Sequence, residues 1–386
     1  MKTAIQKELD SFFKILSKGN FSIRQATKSA FTQARSKLSE YAFQRLNEVA
    51  VNSFYSDAPI RVWEDMRILA VDGTRLVLPK HNTTEEEFGI HLFGPKADSP
   101  QVLAMGSILY DVLNLITIDA QIAPYNDSER DLLNHHLEKV ESGDMLLLDR
   151  GYPCFWLLFL LLAKKIEFCV RLKDNWWNEV KKFIASGLKE QIVSFQLPKK
   201  DRNKLKDYPE FMDKSIACRL VRVELENGEV EVLCTSLTDT NKFPHSDFSE
   251  LYHLRWGIEE AFKLLKCRIE LEKFSGKTAR AVKQDFHAKI FLMTLCAAYA
   301  HPIENKVIEE YKKDEVRKHD QKINRTNALR MTVEILVPMF LRKMVTKAIR
   351  AFDDIVYGTR EIIRLGRNMV RKKSPKKPYS MNYKHL

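Results

Sequence analysis

Hydrophobic spacing divides the chain into stretches of different period. Residues 1–65 carry apolar positions at helical spacing, and Ile5 to Leu16 forms one short amphipathic helix. Gly19 and Asn20 break it, and Ser22 can cap the next one. The run FSIRQATKSAFTQARSKLSEYAFQRLNEVAVNSFY predicts two or three helices, with a break near Lys37 to Glu40 where Ser39 can cap. The period then changes to that of strands. Arg67 to Leu78, RILAVDGTRLVL, reads as a strand, a tight Asp-Gly turn and a second strand, with Asp72 ending the first. Gln101 to Asp111 and Leu115 to Ile122 complete a three-stranded meander. A helix follows from Ser128 to Glu141, with Glu129 and Arg130 in its first turn. Asp144 to Asp149, DMLLLD, is almost wholly apolar, the pattern of a strand covered on both faces. Pro153 opens a helix that runs to Ala163, and Glu167 to Leu172 is another strand.

From Trp176 to Thr240 the pattern is mainly β, with a hairpin at Asn227-Gly228 and a basic loop from Lys199 to Lys206. Phe248 to Glu272 predicts one amphipathic helix, whose core face is Leu251, Leu254, Ile258, Ala261, Leu265 and Ile269. Tyr252, Arg255, Glu259 and Lys266 fall within roughly 60° of one another on a second face. Ala279 to Ala300 is a long helix, and helices with basic faces continue to about residue 373. Arg371 to Leu386 is a basic, Pro-containing, extended end. The order strand, strand, strand, helix, strand, helix, strand defines an α/β fold with a mainly β insertion. An N-terminal helical region and a basic helical C-terminal region flank it. The corresponding boundaries are 1–65, 66–175, 176–245, 246–305 and 306–386.

Composition narrows the class. With 386 residues, 45% of them hydrophobic and 30% charged, a soluble protein of two or three domains is expected. Met1 to Asp10 has mixed charge and no apolar core, and the longest apolar run, Phe155 to Ala163, is too short to span a bilayer. Six scattered cysteines without a CxxC pair fit reduced thiols, so a cytoplasmic protein with no membrane partner is expected. The charge is not spread evenly. Residues 306–386 hold 21 Lys/Arg against 9 Asp/Glu, a net +12 that equals the formal charge of the whole chain. Such a segment fits a polyanion, and nucleic acid above all. Arg24, Lys28 and Arg35 on the short N-terminal helices suit a helix-turn-helix-like DNA contact.

Candidate chemistry rests on three acids. Asp72 and Asp149 each end a core strand, where open α/β sheets present ligand groups, and Glu259 sits on the polar helix stripe. Converging carboxylates repel unless a cation neutralises them, and oxygen-only donors favour Mg²⁺, with Mn²⁺ as a substitute. Two such ions can activate an attacking water or 3'-hydroxyl and stabilise the opposite oxygen of an in-line phosphoryl displacement. Arg255 and Lys266 would hold DNA phosphates, Tyr252 a phosphate or a base, and Arg150 stands beside Asp149. There is no Walker A loop, GxGxxG, HExxH or GxSxG, and the histidines do not cluster, with His135 and His136 expected at a helix surface.

The spacing Tyr252-x2-Arg255-x3-Glu259-x6-Lys266 resembles the YREK motif of bacterial insertion-sequence transposases of the DDE class, in the cut-and-paste group with a β-rich insertion. VDGT at Val71 to Thr74 resembles that family's first-Asp motif, and LDRGY at Leu148 to Tyr152 its second. Phe31 to Phe43 and Ile323 to Leu329 resemble stretches before and after its catalytic core, so the resemblance covers nearly the whole chain. It implies an RNase H-like core interrupted by the β insertion. It also implies Asp72, Asp149 and Glu259 as catalytic metal ligands, with Tyr252, Arg255 and Lys266 on DNA. The implied partners are double-stranded terminal inverted repeats, target DNA and a second copy of the chain, with cleavage and joining of 3'-hydroxyl ends. Members that pass through a hairpin stack a flipped base on a tryptophan of the insertion, for which Trp176 and Trp177 are the candidates. An RNase H-like nuclease without strand transfer, and a catalytically silent repressor derived from a transposase, remain as alternatives.

Overall fold

The computed structural model describes residues 4–17, 24–93, 99–173, 176–225, 228–313 and 319–363. The expected cap at Ser22, the Asn227 half of the hairpin turn and the basic end from Arg371 lie outside these. Helices α1 (Ile5–Ser17), α2 (Lys28–Ser36) and α3 (Ala42–Asp57) precede the long strand β1 (Ile68–Leu78). Helix α4 (Asn82–Phe88) and strands β2 (Ile90–Phe93), β3 (Ser99–Asp111) and β4 (Ile116–Pro124) follow. The chain then alternates: α5 (Glu129–His136), β5 (Met145–Leu148), α6 (Phe155–Ala163) and β6 (Glu167–Leu172).

One sheet carries the molecule. β3 pairs antiparallel with β1 and, along its other edge, with β2 and β4. β5 pairs in parallel with both β1 and β6. All four residues of β5 are buried, which is why its sequence shows no alternation. Alternation instead appears in how neighbouring positions divide between two cores. Ala70 and Leu147 face the core on one side, while Leu69, Val71, Leu146 and Leu148 face the core on the other.

The mainly β segment holds α7 (Asn178–Ser186), β7 (Glu190–Gln196), β8 (Ser215–Glu224) and β9 (Val230–Thr235). It does not stand apart as a separate layer. β9 pairs antiparallel with β6, and β8 and β7 continue outward, so the insertion extends the central sheet at its edge. The basic stretch from Lys199 is a 3-10 helix anchored by the buried Leu205, not an open loop. The N-terminal helices are likewise not an independent body. Val51 and Phe54 of α3 enter the sheet core, and Tyr55 donates to Asp111 at 2.7 Å.

Two further expectations are revised. Asp72-Gly73 makes no turn: β1 runs straight through it, with Asp72 opposite Ile108 and Gly73 opposite Ser107. The predicted single helix from Phe248 is two, α8 (Asp247–His253) and α9 (Trp256–Cys267). Between them the backbone stays helical, with φ −53° and ψ −32° at Arg255, but its bonds shorten to the i−3 pattern. Arg255 N–H reaches the Tyr252 carbonyl, and Gly257 N–H the Leu254 carbonyl. A tighter turn with a glycine in it is a weak point in any helix. Helices α10 (Ala279–Lys313), α11 (Arg325–Arg342) and α12 (Val345–Gly358) form a third apolar cluster, and β10 (Gln321–Lys322) pairs with β11 (Glu361–Ile362). Among the described residues no helix is long and apolar enough to cross a membrane.

Candidate active site

The β1–β5 register ends at Ala70 opposite Leu147. Continued by two residues on each strand, it sets Asp72 beside Asp149, just past the carboxyl end of β5. By alternation both belong to the side of the sheet covered by α8 and α9. Asp72 is largely buried and accepts the Gly73 N–H at 2.9 Å. Burial pushes its carboxyl up to about 6, helped by the charges of Glu129 and Asp149 and opposed by Gly73 N–H and Arg255. The exposed Arg150 follows Asp149 at the sheet end.

The α8–α9 junction supplies the other groups. Tyr252 is buried, with its hydroxyl 3.4 Å from the Leu148 carbonyl, one residue before Asp149. Arg255 is also buried, lies over the rings of Tyr252 and Trp256, and donates to Glu259 at 3.0 Å. Its charge bears on Asp72, Asp149 and Glu259 alike. Glu259 has 41% of its side chain exposed. Lys266, a turn and more along α9, donates to the Arg75 carbonyl of β1 at 2.9 Å, and burial lowers its pKa. The stripe read from the sequence is therefore a docked seam, with each member tied to β1, β5 or its own helix.

Among the described residues, no three His, Cys, Asp or Glu side chains stand close enough together to hold a metal ion. The donor chemistry nonetheless fits a hard divalent cation. Asp72 and Asp149 offer only oxygen, and burial, with a smaller push from the charges of Glu129 and Asp149, raises the Asp72 carboxyl, an environment that a cation relieves. Glu259, the third acid, is instead engaged by Arg255 at 3.0 Å.

The lowered acidity of Asp72 has a stability consequence. Asp72 holds its proton more tightly in the fold than at its ordinary 3.8, so the stability it contributes is complete below about pH 4 and lost as pH rises through about 6. In EDTA, Asp72→Asn should melt higher than the wild type at pH 8, and the difference should close at pH 4. A melting difference independent of pH would show that ionisation of Asp72 is not its source.

The remaining candidates divide. Trp177 stacks on Phe155 with ring centroids 4.4 Å apart and packs against Phe195, so it belongs to the core. Trp176 is exposed, with the Lys173 ammonium 4.5 Å above its ring. Arg24 is exposed and pairs with Asp10 at 3.3 Å, and Lys28 is exposed on α2. Arg35 turns inward: its guanidinium meets Gln284, Ser275, the Ala281 carbonyl and Asp285, docking α2 on α10.

Sequence reasoning missed the layer beneath. His136 is fully buried, not at a helix surface, with Nδ1 2.7 Å from Asp119 Oδ2 and Nε2 2.9 Å from Ser107 Oγ. Ser107 in turn contacts the Asp72 carbonyl at 3.3 Å, so this network ties α5 to the strand that carries Asp72. At the other end of α5, Arg130 donates to the Gly151 and Tyr152 carbonyls at 3.0 Å each and fixes the loop after Asp149. The signal available in the sequence was Leu133 and Leu137 flanking His136 on the buried helix face. A cleft of about 680 Å³ lies elsewhere, between α9, α10 and β10, and none of the three acids lines it.

A meander of three antiparallel strands, two parallel strands beyond it, and paired aspartates at their junction describe a mixed α/β domain consistent with an RNase H-like fold. The family described as "Transposase DDE domain" matches residues 63–296, and the chain belongs to it. The chain is also 24% identical over 263 residues to the transposase InsG for insertion sequence element IS4 of Escherichia coli. That alignment takes in 67% of this chain and 57% of the relative, so the chain spans little more than half of the relative's length. A piggyBac transposase synaptic complex with hairpin DNA, solved by cryo-EM, is a more distant likeness, with a TM-score of 0.43 and 11% identity, covering 92% of this chain and 69% of that one.

Proposed function

We propose that the chain is a DNA transposase that binds terminal inverted repeats as a dimer, cleaves at the element ends and joins the 3'-hydroxyls to target DNA. The observation that carries the reading is the position of Arg255, whose charge bears on Asp72, Asp149 and Glu259 together. In a member of the transposase DDE-domain family, two aspartates at one sheet end and a glutamate held by such an arginine have a ready role.

Asp72, Asp149 and Glu259 would hold Mg²⁺ or Mn²⁺, which when bound supplies charge stabilisation for phosphoryl transfer. The protein's own groups do the rest. Arg255 keeps one buried nitrogen, Nε, without a partner, so it can accept a phosphate as it lets Glu259 go. Tyr252 and the ring of Trp256 keep the guanidinium in place. Lys266 and Arg150 would meet DNA phosphates, and Arg24, just before α2, and Lys28 on α2 offer further positive charge. Arg35 and Trp177 are engaged by the fold, so of the two tryptophans the exposed Trp176, with Lys173 over its ring, is the one to stack on a base.

The test is a labelled duplex carrying the element's own ends, a second unlabelled duplex and Mg²⁺. Nicked, hairpin and joined products are expected. Cleavage without any joining would overturn the transposase reading in favour of a nuclease, and binding without cleavage in favour of a repressor. The two tryptophans should separate cleanly. Trp176→Ala should keep its melting temperature and weaken engagement of a flipped base by about 1–3 kcal/mol. Trp177→Ala should lose about 3–5 kcal/mol of fold stability. The check is a thermal melt beside 2-aminopurine fluorescence at the element end, and equal effects of both variants would remove Trp176 from the site.

A further inference from the structure

We propose that the 3-10 helix Lys199–Leu205 and Trp156 form a binding surface for an unpaired DNA strand on the insertion side of the site. The inference rests on the transposase reading for the source of that strand, the DNA opened at an element end.

The placement follows from the parallel strands. β5 and β6 run the same way, so the residues that follow them emerge at one end of the sheet, the end of Asp149. After β5 come the exposed Arg150 and Gly151 and then α6, whose first turn carries Trp156. After β6 come Lys173 and Trp176. Trp177 stacks on Phe155 and so ties this second segment to the start of α6. The 3-10 helix completes the group from the insertion. Its Leu205 is buried in the same core as α6, and the Lys204 ammonium lies 5.5 Å from the centroid of the Trp156 ring. The charges of Arg130, Asp201 and Lys204 all bear on Cys154, the residue before α6, so this helix reaches the loop that leaves Asp149.

Its chemistry suits a polyanion. Lys199 to Lys206 holds five Lys/Arg against one acid, Asp201. Arg202 is paired with Asp213 at 2.6 Å, whereas among the described residues no carboxylate engages the exposed Lys199, Lys200, Lys204 or Lys206. Lysines on a merely solvated helix point their ammonium groups into water. Here Lys204 and Lys173 lie over tryptophan rings instead, those of Trp156 and Trp176, and both rings are partly open to solvent. Cations beside aromatic rings are how proteins track single-stranded nucleic acid, with phosphate on the cation and base on the ring. A duplex could use the lysines but keeps its base faces stacked, so the rings favour unpaired DNA.

The experiment is a fluorescence-anisotropy titration of the full chain with a labelled oligothymidine of about twelve nucleotides, within the span of a single-strand site, across a salt series. The triple variant Lys199→Gln, Lys200→Gln, Lys204→Gln should bind at least about tenfold more weakly. Its slope of log affinity against log salt should flatten by about 2, three phosphates at roughly 0.7 each. On a fully paired duplex of the same length the loss should stay under about threefold. Lys164→Gln with Lys165→Gln, at the other end of α6, should leave oligothymidine binding as in the wild type. Trp156→Ala should weaken binding about fivefold or more with the slope unchanged, and the exposed lysines carry the test where that variant does not fold. An unchanged slope in the triple variant would overturn the inference. So would equal losses on duplex and oligothymidine, or a like loss in the Lys164 and Lys165 variant. The transposase reading stands or falls separately. A wild type that cleaves and joins element ends yet ignores oligothymidine keeps that reading and loses this surface. One that binds oligothymidine through these lysines but neither cleaves nor joins keeps the surface and loses the reading.

Discussion

Asp149→Asn is expected to lower end cleavage and end joining together, on the order of a thousand-fold, which is roughly 4 kcal/mol of transition-state stabilisation. The substitution keeps the shape of the side chain and removes its charge. Structure gives little reason for collapse, since Asp149 lies past the last paired residue of β5 and is only half buried. Binding to a duplex carrying the element ends should therefore survive, because phosphate contacts elsewhere supply most of that affinity. The measurement pairs a gel-shift titration with the cleavage assay on one preparation. Cleavage within tenfold of wild type would remove Asp149 from the chemistry. Loss of binding in step with cleavage would place it in DNA contact instead.

The second large effect concerns the other end of the same strands. Arg67 donates to both Asp144 oxygens, at 2.7 and 2.6 Å, and stacks over Tyr55 with its guanidinium carbon 4.7 Å from the ring centroid. This pair joins the chain at the start of β1 to the chain at the start of β5, the two strands that set Asp72 beside Asp149. Asp144 is buried, so Arg67→Met strands a carboxylate and should cost about 3–5 kcal/mol. That is a large share of the roughly 5–15 kcal/mol that holds a typical domain together. Adding Asp144→Leu should recover part of the loss, since an apolar pair of similar volume often replaces a buried ion pair without penalty. Urea unfolding of the wild type, the single variant and the double variant checks this. A single variant within 1 kcal/mol of wild type would mean that water or the Glu141 N–H already satisfies Asp144.

The two results would distinguish chemistry from scaffold at opposite ends of one strand pair. Local sequence already carried much of that scaffold. The continuous apolar run of β5 and the following β6 were legible because strands buried on both faces need no polar alternation. The spacing of Tyr252, Arg255, Glu259 and Lys266 was legible because helical periodicity survives a short 3-10 break. Asp72-Gly73 misled, since a glycine after an aspartate signals a turn only when nothing else needs the space. Here the space belongs to the side chain of Glu129, 56 residues further along the chain, and no local pattern contains that fact.

The sequence by itself therefore determined the α/β class, the succession of β5, α6 and β6, the basic charge of the C-terminal segment and the residue types of the candidate site. Periodicity and charge are local properties, and they can be read without knowing the neighbours. Tertiary structure alone decided that the β insertion extends the central sheet, that Arg35 and Trp177 are held by packing, and that His136 is buried under Asp72. It also decided that Arg255 engages Glu259 while Glu129 lies against Gly73. These are pairings between distant segments, fixed by strand register and by the volume left beside a glycine, and neither quantity exists until the chain has folded.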